Sequence, residues 1–359
     1  MKRKLPVAVL GIAAVLTGCS SIGPGTVARD RFDYSASLGE SWKRQTLLNI
    51  VKLRYLDPPI FVDVGQIVSG YSLQTTASTI GTANWPSFGT ANGSLSVGAA
   101  GQYTDRPTVT YTPLTGNKFI KGLMTPLTPD SVFFTIQSGW PADAVLFVTV
   151  AEINGLENQT ANINGVSPPD PKFMRVLQLM RKIQLSDAVA MRVKQDSATQ
   201  QTTILAFRSK DISPETLNDI HELRALLHLD PDTQEIRLVF GATSVDNKEV
   251  ALLTRSVLQQ MSIMASQVEV PAEDVTQGRA SPGWESVTNT VGFPRLVQIH
   301  SSKSAPKDAF VAIPYRDHWF WIDDRDLKSK RTFSFMMLLF TLADTGEKEP
   351  LPLITIPAQ

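Results

Sequence analysis

The sequence predicts an α+β fold: helices mixed with short antiparallel sheets, and an uncharged Gly/Ser/Thr-rich β-hairpin projecting from them. Three observations predict it. In residues 172–266 apolar side chains recur at three and four, then in strand-like runs, then at three and four again, an order that suits helices packed on one sheet face. Residues 64–104, forty-one positions, hold no Asp, Glu, Lys or Arg, and the end of this stretch alternates with a period of two. The chain has 359 residues, 42% of them hydrophobic and 19% charged, with 34 basic and 34 acidic side chains. That is enough for a sizeable core, and the balance excludes a wholly disordered chain or a strongly basic nucleic-acid binder. One cysteine and four histidines exclude an internal disulfide, a CxxC redox pair and a cysteine-rich zinc site, and speak against a multi-histidine metal centre.

In chain order, Lys2, Arg3 and Lys4 precede an apolar run from Leu5 to Leu16 that is too short for an ordinary membrane span. Leu16-Thr17-Gly18-Cys19 follows, and Cys19 is the sole cysteine. This segment resembles the lipobox of bacterial lipoproteins. The resemblance implies cleavage before Cys19, acylation of that residue, and attachment to the bilayer through the acylated N-terminus. Several acyl chains anchor firmly where one anchors marginally. Ser20 and Ser21 in place of an acidic residue imply, by the same resemblance, an outer-membrane lipoprotein facing the periplasm. Loss of the three basic leader residues would leave a net charge of about −3, which gives no reason to expect a nucleic-acid partner.

The expected layout is a signal peptide at 1–18, a lipidated tether at 19–37, and an N-terminal helix and strand at 38–63. The hairpin projection follows at 64–104, a mixed linking subdomain at 105–171 and an α+β core module at 172–270. A loop at 271–292 leads to C-terminal strands and a helix at 293–359. Leu47, Ile50, Val51 and Arg54 mark the face of a helix over about 38–55, with Trp42 before them and Pro58-Pro59 as the stop. Ile60 to Val64 reads as a short strand.

Two strands are legible in the uncharged stretch. Ile67, Ser69, Tyr71, Leu73, Thr75 and Ala77 form one row of the first; Leu95, Val97, Ala99, Gly101 and Tyr103 form one row of the second. Trp85, Pro86 and Phe88 sit at the tip between them. Each strand is long enough for a membrane strand, but a lone hairpin would leave its edges unpaired in lipid. Insertion would need several subunits to close a shared barrel. In design, though in no motif, this resembles the oligomeric secretion-channel lipoproteins. The residues leave three uses open: membrane insertion, subunit contact, and a solvated hairpin. Tyr71, Leu73, Trp85, Phe88, Leu95, Val97 and Tyr103 are the candidate membrane or subunit contacts.

Thr108–Thr112 reads as a strand, Asn117–Met124 and Ser131–Gln137 as short helices, and Ala144–Ile153 as a strand or a buried helix. The Asn- and Pro-rich piece Asn158–Pro171 reads as an exposed loop. Phe173, Val176, Leu177, Met180 and Ile183 give an amphipathic helix. Ala188–Val193 and Thr202–Phe207 read as paired strands, Ser213-Pro214 as the start of a helix through Leu227, and Ile236–Phe240 as a strand. Val250, Leu253, Val257, Leu258, Met261 and Met264 suggest one further helix. Strands follow at Arg295–His300, Ala309–Ile313 and His318–Ile322, then a core helix over about Lys328–Ala343 and an edge strand at Leu353–Ile356.

No catalytic or metal-binding set is legible, and no cofactor is expected. Ser304-Ala305-Pro306-Lys307 matches S-x-x-K, but Pro306 interrupts it and the partner motifs are absent. His221-Glu222 lacks the second histidine of a zinc helix, and His221 and His228 lack further ligands at metal spacing. Asp323, Asp324 and Asp326 lack the glycine and late glutamate of a calcium loop. Trp319-Phe320-Trp321 is a candidate ligand platform or a packing strand. The expectation is a lipid-anchored cell-envelope protein working in structure, assembly or transport, with identical subunits or other envelope proteins as partners. The rivals are a periplasmic cell-wall or lipid hydrolase, and a binder of small molecules or peptidoglycan.

Overall fold

The computed structural model describes residues 27–68, 71–83, 93–162, 165–195, 201–207, 212–233, 235–284 and 295–343. The lipobox, Trp85, Phe88 and the expected strand at Leu353–Ile356 lie outside them. The architecture is mixed α and β, with several short antiparallel sheets and one mixed sheet. Two compact units divide the described chain: one holds Val62–Leu114 and the first helix through Ser41, the other holds Trp42–Phe61 and the chain from Thr115 on.

Helix α1 (Val27–Arg54) starts well before the expected residue 38, so much of the expected tether is helical. Asp30 in its first turn and Lys52 and Arg54 in its last suit the helix dipole. Thr46, Leu47, Asn49, Ile50 and Val51 are buried at its C-terminal end. The Asn49 amide donates to the Ile60 carbonyl (2.8 Å) and accepts from the Ile60 N–H (3.0 Å), which fixes the chain's return past Pro58 and Pro59.

In the first unit, β1 (Phe61–Val68) pairs with β4 (Thr108–Leu114), and β2 (Tyr71–Ala83) pairs with β3 (Gly93–Asp105). The β2–β3 strands have thirteen residues each and pair throughout, from Tyr71 opposite Asp105 to Ala83 opposite Gly93. The ladder is longer than the two expected strands and starts later than Ile67.

The second unit centres on a six-stranded sheet. After α2 (Asn117–Met124) and α3 (Pro129–Gln137), α4 (Ala142–Thr149) passes directly into β5 (Val150–Ile153), so the segment read as strand or helix is both. β6 (Leu156–Glu157) and a small hairpin, β7 (Thr160–Asn162) with β8 (Gly165–Ser167), lead to α5 (Pro171–Leu185). Then come β9 (Val189–Gln195), β10 (Gln201–Phe207), α6 (Pro214–Leu226), β11 (Glu235–Phe240), β12 (Glu249–Thr254) and α7 (Val257–Ser266). The strand order is β6-β5-β12-β11-β10-β9, antiparallel except for β11 beside β12. The core joins Ile153, Leu205, Ile236, Leu238, Val250 and Leu252 of the sheet to Phe133, Leu146, Val176, Met180, Ile183 and Leu223 of the helices.

Three readings need correction. The helix expected from Val250 is strand β12 followed by α7. Ser256 accepts from the Gln259 N–H while the Gln259 side chain accepts from the Ser256 N–H, a capping box that starts the helix at Val257. Leu252 is therefore the core residue (0% exposed) and Leu253 is half-buried. The exposed loop expected at Asn158–Pro171 begins with two buried residues. Asn158 donates to the Phe147 and Val150 carbonyls (2.9 and 2.7 Å), and the buried Arg255 guanidinium donates to the carbonyls of Phe147, Val148 and Gln159. Burial lowers the Arg255 pKa to about 9. Lastly, the region expected as loop from residue 271 holds α8 (Ala272–Thr276) and buries Ala280 and Trp284.

A three-stranded antiparallel sheet has the order β13 (His300–Ser302), β15 (His318–Asp323), β14 (Ala309–Tyr315), so the expected strand at Arg295–His300 starts at its last residue. Helix α9 (Leu327–Ala343) buries Phe333, Phe335, Met336, Leu339 and Phe340; Trp140 lies 4.7 Å from Phe335, and Phe61 lies 4.9 Å from Phe340, between ring centroids.

Candidate functional site

The β2–β3 ladder resolves the two alternating rows. Its register sets Leu73 opposite Tyr103, Thr75 opposite Gly101, Ala77 opposite Ala99, Thr79 opposite Val97 and Gly81 opposite Leu95. Residues directly opposite share a face, so the row of Tyr71 and Leu73 and the row of Leu95, Val97 and Tyr103 belong to one face. The other face carries Gln74 opposite Gln102 and Thr76 opposite Ala100, all exposed, with Ser78 exposed beside them. One face thus collects the chain's apolar alternation, and the other is wet and neutral. At about 3.4 Å per residue each strand runs roughly 44 Å, more than the nine to eleven residues a membrane strand requires.

The second candidate surface is on β15. Phe320 is fully buried, packed edge-on against Tyr55 (6.2 Å) and Tyr315 (6.4 Å), and leaves the expected platform. Trp319 and Trp321 occupy the opposite face with Ser302 and His300 beside them on β13. Both indoles are half-buried. The His300 ring lies 4.6 Å from that of Trp321, tilted by 34°, and its Nδ1 is 3.1 Å from Glu269 Oε2. Gln298 donates to Glu269 Oε1 (3.3 Å), and Arg295 lies 3.8 Å from the same atom. Trp321 Nε1 is shielded and meets no acceptor among the described residues. Sequence reading named the tryptophans but missed Glu269, which a parallel bridge from Val268 to Ile299 brings alongside.

A third cluster pins the end of α1. Tyr55 donates to Asp274 Oδ2 (2.8 Å), and burial, then this carboxylate, raises its pKa. Arg279 pairs with Asp274 Oδ1 at 2.8 Å. Tyr315 donates to Asp57, Arg316 lies 3.1 Å from the same carboxylate, and its guanidinium stands 4.7 Å over the Tyr55 ring. The hydrogen bond from Tyr315, and then the charge of Arg316 against the opposing effect of burial, holds the Asp57 carboxyl below its ordinary range. Arg54 donates to the Ser281 carbonyl, and a Cβ at Gly283 would meet its guanidinium, so any larger residue there requires Arg54 to shift. A cleft of about 370 Å³ beside this cluster is lined by Asp57, Ser262, Ser266 and Ser281. Its hydroxyls are engaged: Ser262 donates to the Leu258 carbonyl, Ser266 to that of Ile263 and Ser281 to that of Arg54. All three bonds go to backbone carbonyls, so among the described residues none of these hydroxyls is paired with a base.

The remaining sequence candidates are dispersed. Ser304 and Lys307 are exposed between β13 and β14. His221 is exposed on α6, its neighbour Glu222 holds Arg175 through two bonds of 2.6 Å, and His228 follows the helix end at φ +55°. Asp323 accepts from the Arg325 N–H, Asp324 pairs with Lys330 (2.7 Å), and Asp326 accepts from Ser329 at the start of α9. The three aspartates serve a turn, an ion pair and a cap separately. Among the described residues no group of three or more His, Cys, Asp or Glu could hold a metal ion, and no helix is long and apolar enough to cross a membrane. Comparison with protein-family models, curated proteins and solved structures gives no match.

Proposed function

We propose that the protein is a lipid-anchored cell-envelope component that works by assembly, joining the β2–β3 hairpins of several copies into a shared structure through which material crosses an outer membrane. The anchor is the acylated Cys19. The observation that carries the reading is the thirteen-pair ladder, of which every residue but the terminal Asp105 lies in a forty-one-residue stretch without charge. Exposed positions of β11 carry charge at Glu235 and Arg237, whereas exposed positions of the hairpin, such as Gln74, Thr76, Ser78 and Gln102, do not. Lipid and dry interfaces both penalise an unpaired charge, and among the described residues the ladder pairs with no third strand, an arrangement that suits further strand partners. A closed ring of hairpins would satisfy both demands.

The test compares Val97→Lys, on the apolar row, with Ser96→Lys, on the opposite row, in the full-length acylated protein. Lysine on a lipid-facing row costs about 2–4 kcal/mol at the bilayer midplane. Val97→Lys is expected to abolish the high-mass species in mild detergent and the protease protection of the hairpin, with Ser96→Lys milder. A wild-type protein that is monomeric in detergent, or two variants that both behave like it, would refute assembly through this hairpin. Cys19→Ser is expected to release the protein from membranes; unchanged fractionation would remove the anchor.

A second reading, a saccharide-binding lipoprotein, is favoured by the His300–Trp321 stack beside Glu269. Quenching of tryptophan fluorescence by peptidoglycan fragments, lost in Trp319→Ala, would support it.

A further inference from the structure

We infer that the path enclosed by the assembled hairpins does not select between cations and anions, so that it passes hydrophilic solutes without regard to the sign of their charge. This rests on the assembly reading above and names the class of material that the assembly would carry.

The inference comes from what the exposed face of the ladder lacks. The exposed face presents Gln74 and Gln102 as a cross-strand pair, Thr76 beside Ala100, and Ser78. Hydroxyl and amide groups both donate and accept, so they solvate either sign of ion. Channels that discriminate by sign do so with rings of carboxylates or of Arg and Lys at the narrow part of the path. Each copy of a closed assembly repeats the same residue at the same height, so a single charged position would become such a ring. No position from 64 to 104 supplies one, on either row. The conclusion holds for the exposed row, whose ladder positions are all uncharged. Asp105 closes the ladder opposite Tyr71 on the other row, and Arg106, of opposite sign, follows it outside the strand.

The experiment is reversal potential. Full-length acylated protein, purified in mild detergent, is reconstituted in planar bilayers of phosphatidylcholine under a tenfold KCl gradient. The expected potassium-to-chloride permeability ratio is about 1, because neither ion meets a charged ring. Gln102→Glu and Thr76→Lys, both on the exposed row, are expected to move the ratio severalfold in opposite directions. Two variants of opposite sign guard against one that fails to assemble, and the detergent mass of each is measured in parallel. A wild-type ratio above about 3 or below about one third would overturn this inference while leaving assembly intact. A neutral path that neither assembled variant shifts would overturn it as well, since the ladder would not line that path. Absence of conductance from a monomeric protein would refute the assembly reading, and this inference with it.

Discussion

The hairpin β9–β10 pairs seven residues on each strand, and β2–β3 pairs thirteen. In β9–β10 one row holds Met191 and Val193, level with the core residue Leu205, while the other row holds Arg192 and Lys194. Buried side chains lie on both rows of β10, Leu205 opposite Met191 and Ile204 opposite Arg192. In β2–β3 the rows differ far less: aromatic and aliphatic residues are diluted by Thr, Ala and Gly on one side, and Ser, Thr and Gln fill the other. A one-residue slip in β9–β10 would carry charges into the core, so its register is enforced by burial. The same slip in β2–β3 would cost little within one chain, because weakly two-sided, Gly-rich strands specify register poorly. The longer hairpin lacks within its own residues what holds the shorter one in place. Neighbouring copies or a bilayer would supply it.

The largest expected effect lies in the helix-covered sheet. Leu252→Ala removes a fully buried side chain and should cost about 2–5 kcal/mol in denaturant unfolding, with Leu253→Ala costing clearly less. Equal losses would mean that the two faces of β12 are not distinguished by burial. Next is Asn154→Ala. Asn154 accepts from the Ala251 N–H (2.7 Å), donates to the Leu227 carbonyl (2.8 Å) and sits at φ +45°. Removing this junction should cost about 1–3 kcal/mol by the same measurement; a change near zero would show that the edge hairpin β5–β6 contributes nothing to the sheet's stability.

A smaller effect of opposite sign is expected at Glu157. Burial, and then the Glu157 charge directly opposite, raises the Glu152 pKa above its ordinary value. A carboxyl raised in the native state binds its proton more tightly there than in the unfolded chain. The pair therefore lowers stability progressively as pH rises from the ordinary carboxylate value through the raised one, fully so above it, and has no effect where both states are protonated. Glu157→Gln should stabilise by about 0.2–1 kcal/mol at pH 7, and the gain should vanish as pH falls below the carboxylate range. A gain that persists in acid would have another source. The smallest effect, none, sharpens the comparison most: replacing Tyr71–Asp105 with a short Gly-Ser turn should leave the unfolding midpoint of the second unit unchanged. A shift of several degrees would show that the body draws stability from the ladder.

Elements whose burial follows one local period were legible in the sequence. Phe173, Val176, Leu177, Met180 and Ile183 mark α5, and all are buried as the spacing predicts. The split of Trp319 and Trp321 from Phe320 followed from strand alternation alone. The reading failed where two periods coincide. Val250, Leu253 and Val257 imitate a helix face across the end of β12, and the decisive signal, Ser256 three residues before Gln259, was present but outweighed. It also failed where burial comes from afar. Asn158 and Gln159 look like loop residues because nothing nearby reveals that Arg255 lies over Gln159 and the helix end at Phe147 receives Asn158. The rows of the ladder were legible from alternation, whereas their pairing needed the turn and the full strand lengths.

The placement of β5 against β12 sets a timetable for synthesis. Ile153 pairs with Leu252, so one side of the contact emerges from the ribosome about a hundred residues before the other. At roughly 5–20 residues per second that delay is roughly 5–20 seconds. The ladder strands are complete before the delay begins, and they spend it with open edges and no finished body behind them. Under the lipid-anchored reading proposed above, the chain must also remain unfolded until it has crossed the inner membrane. Late closure of the central sheet makes premature folding slow, and it makes a holding chaperone in the cytoplasm, rather than a folding catalyst, the helper this chain would need first.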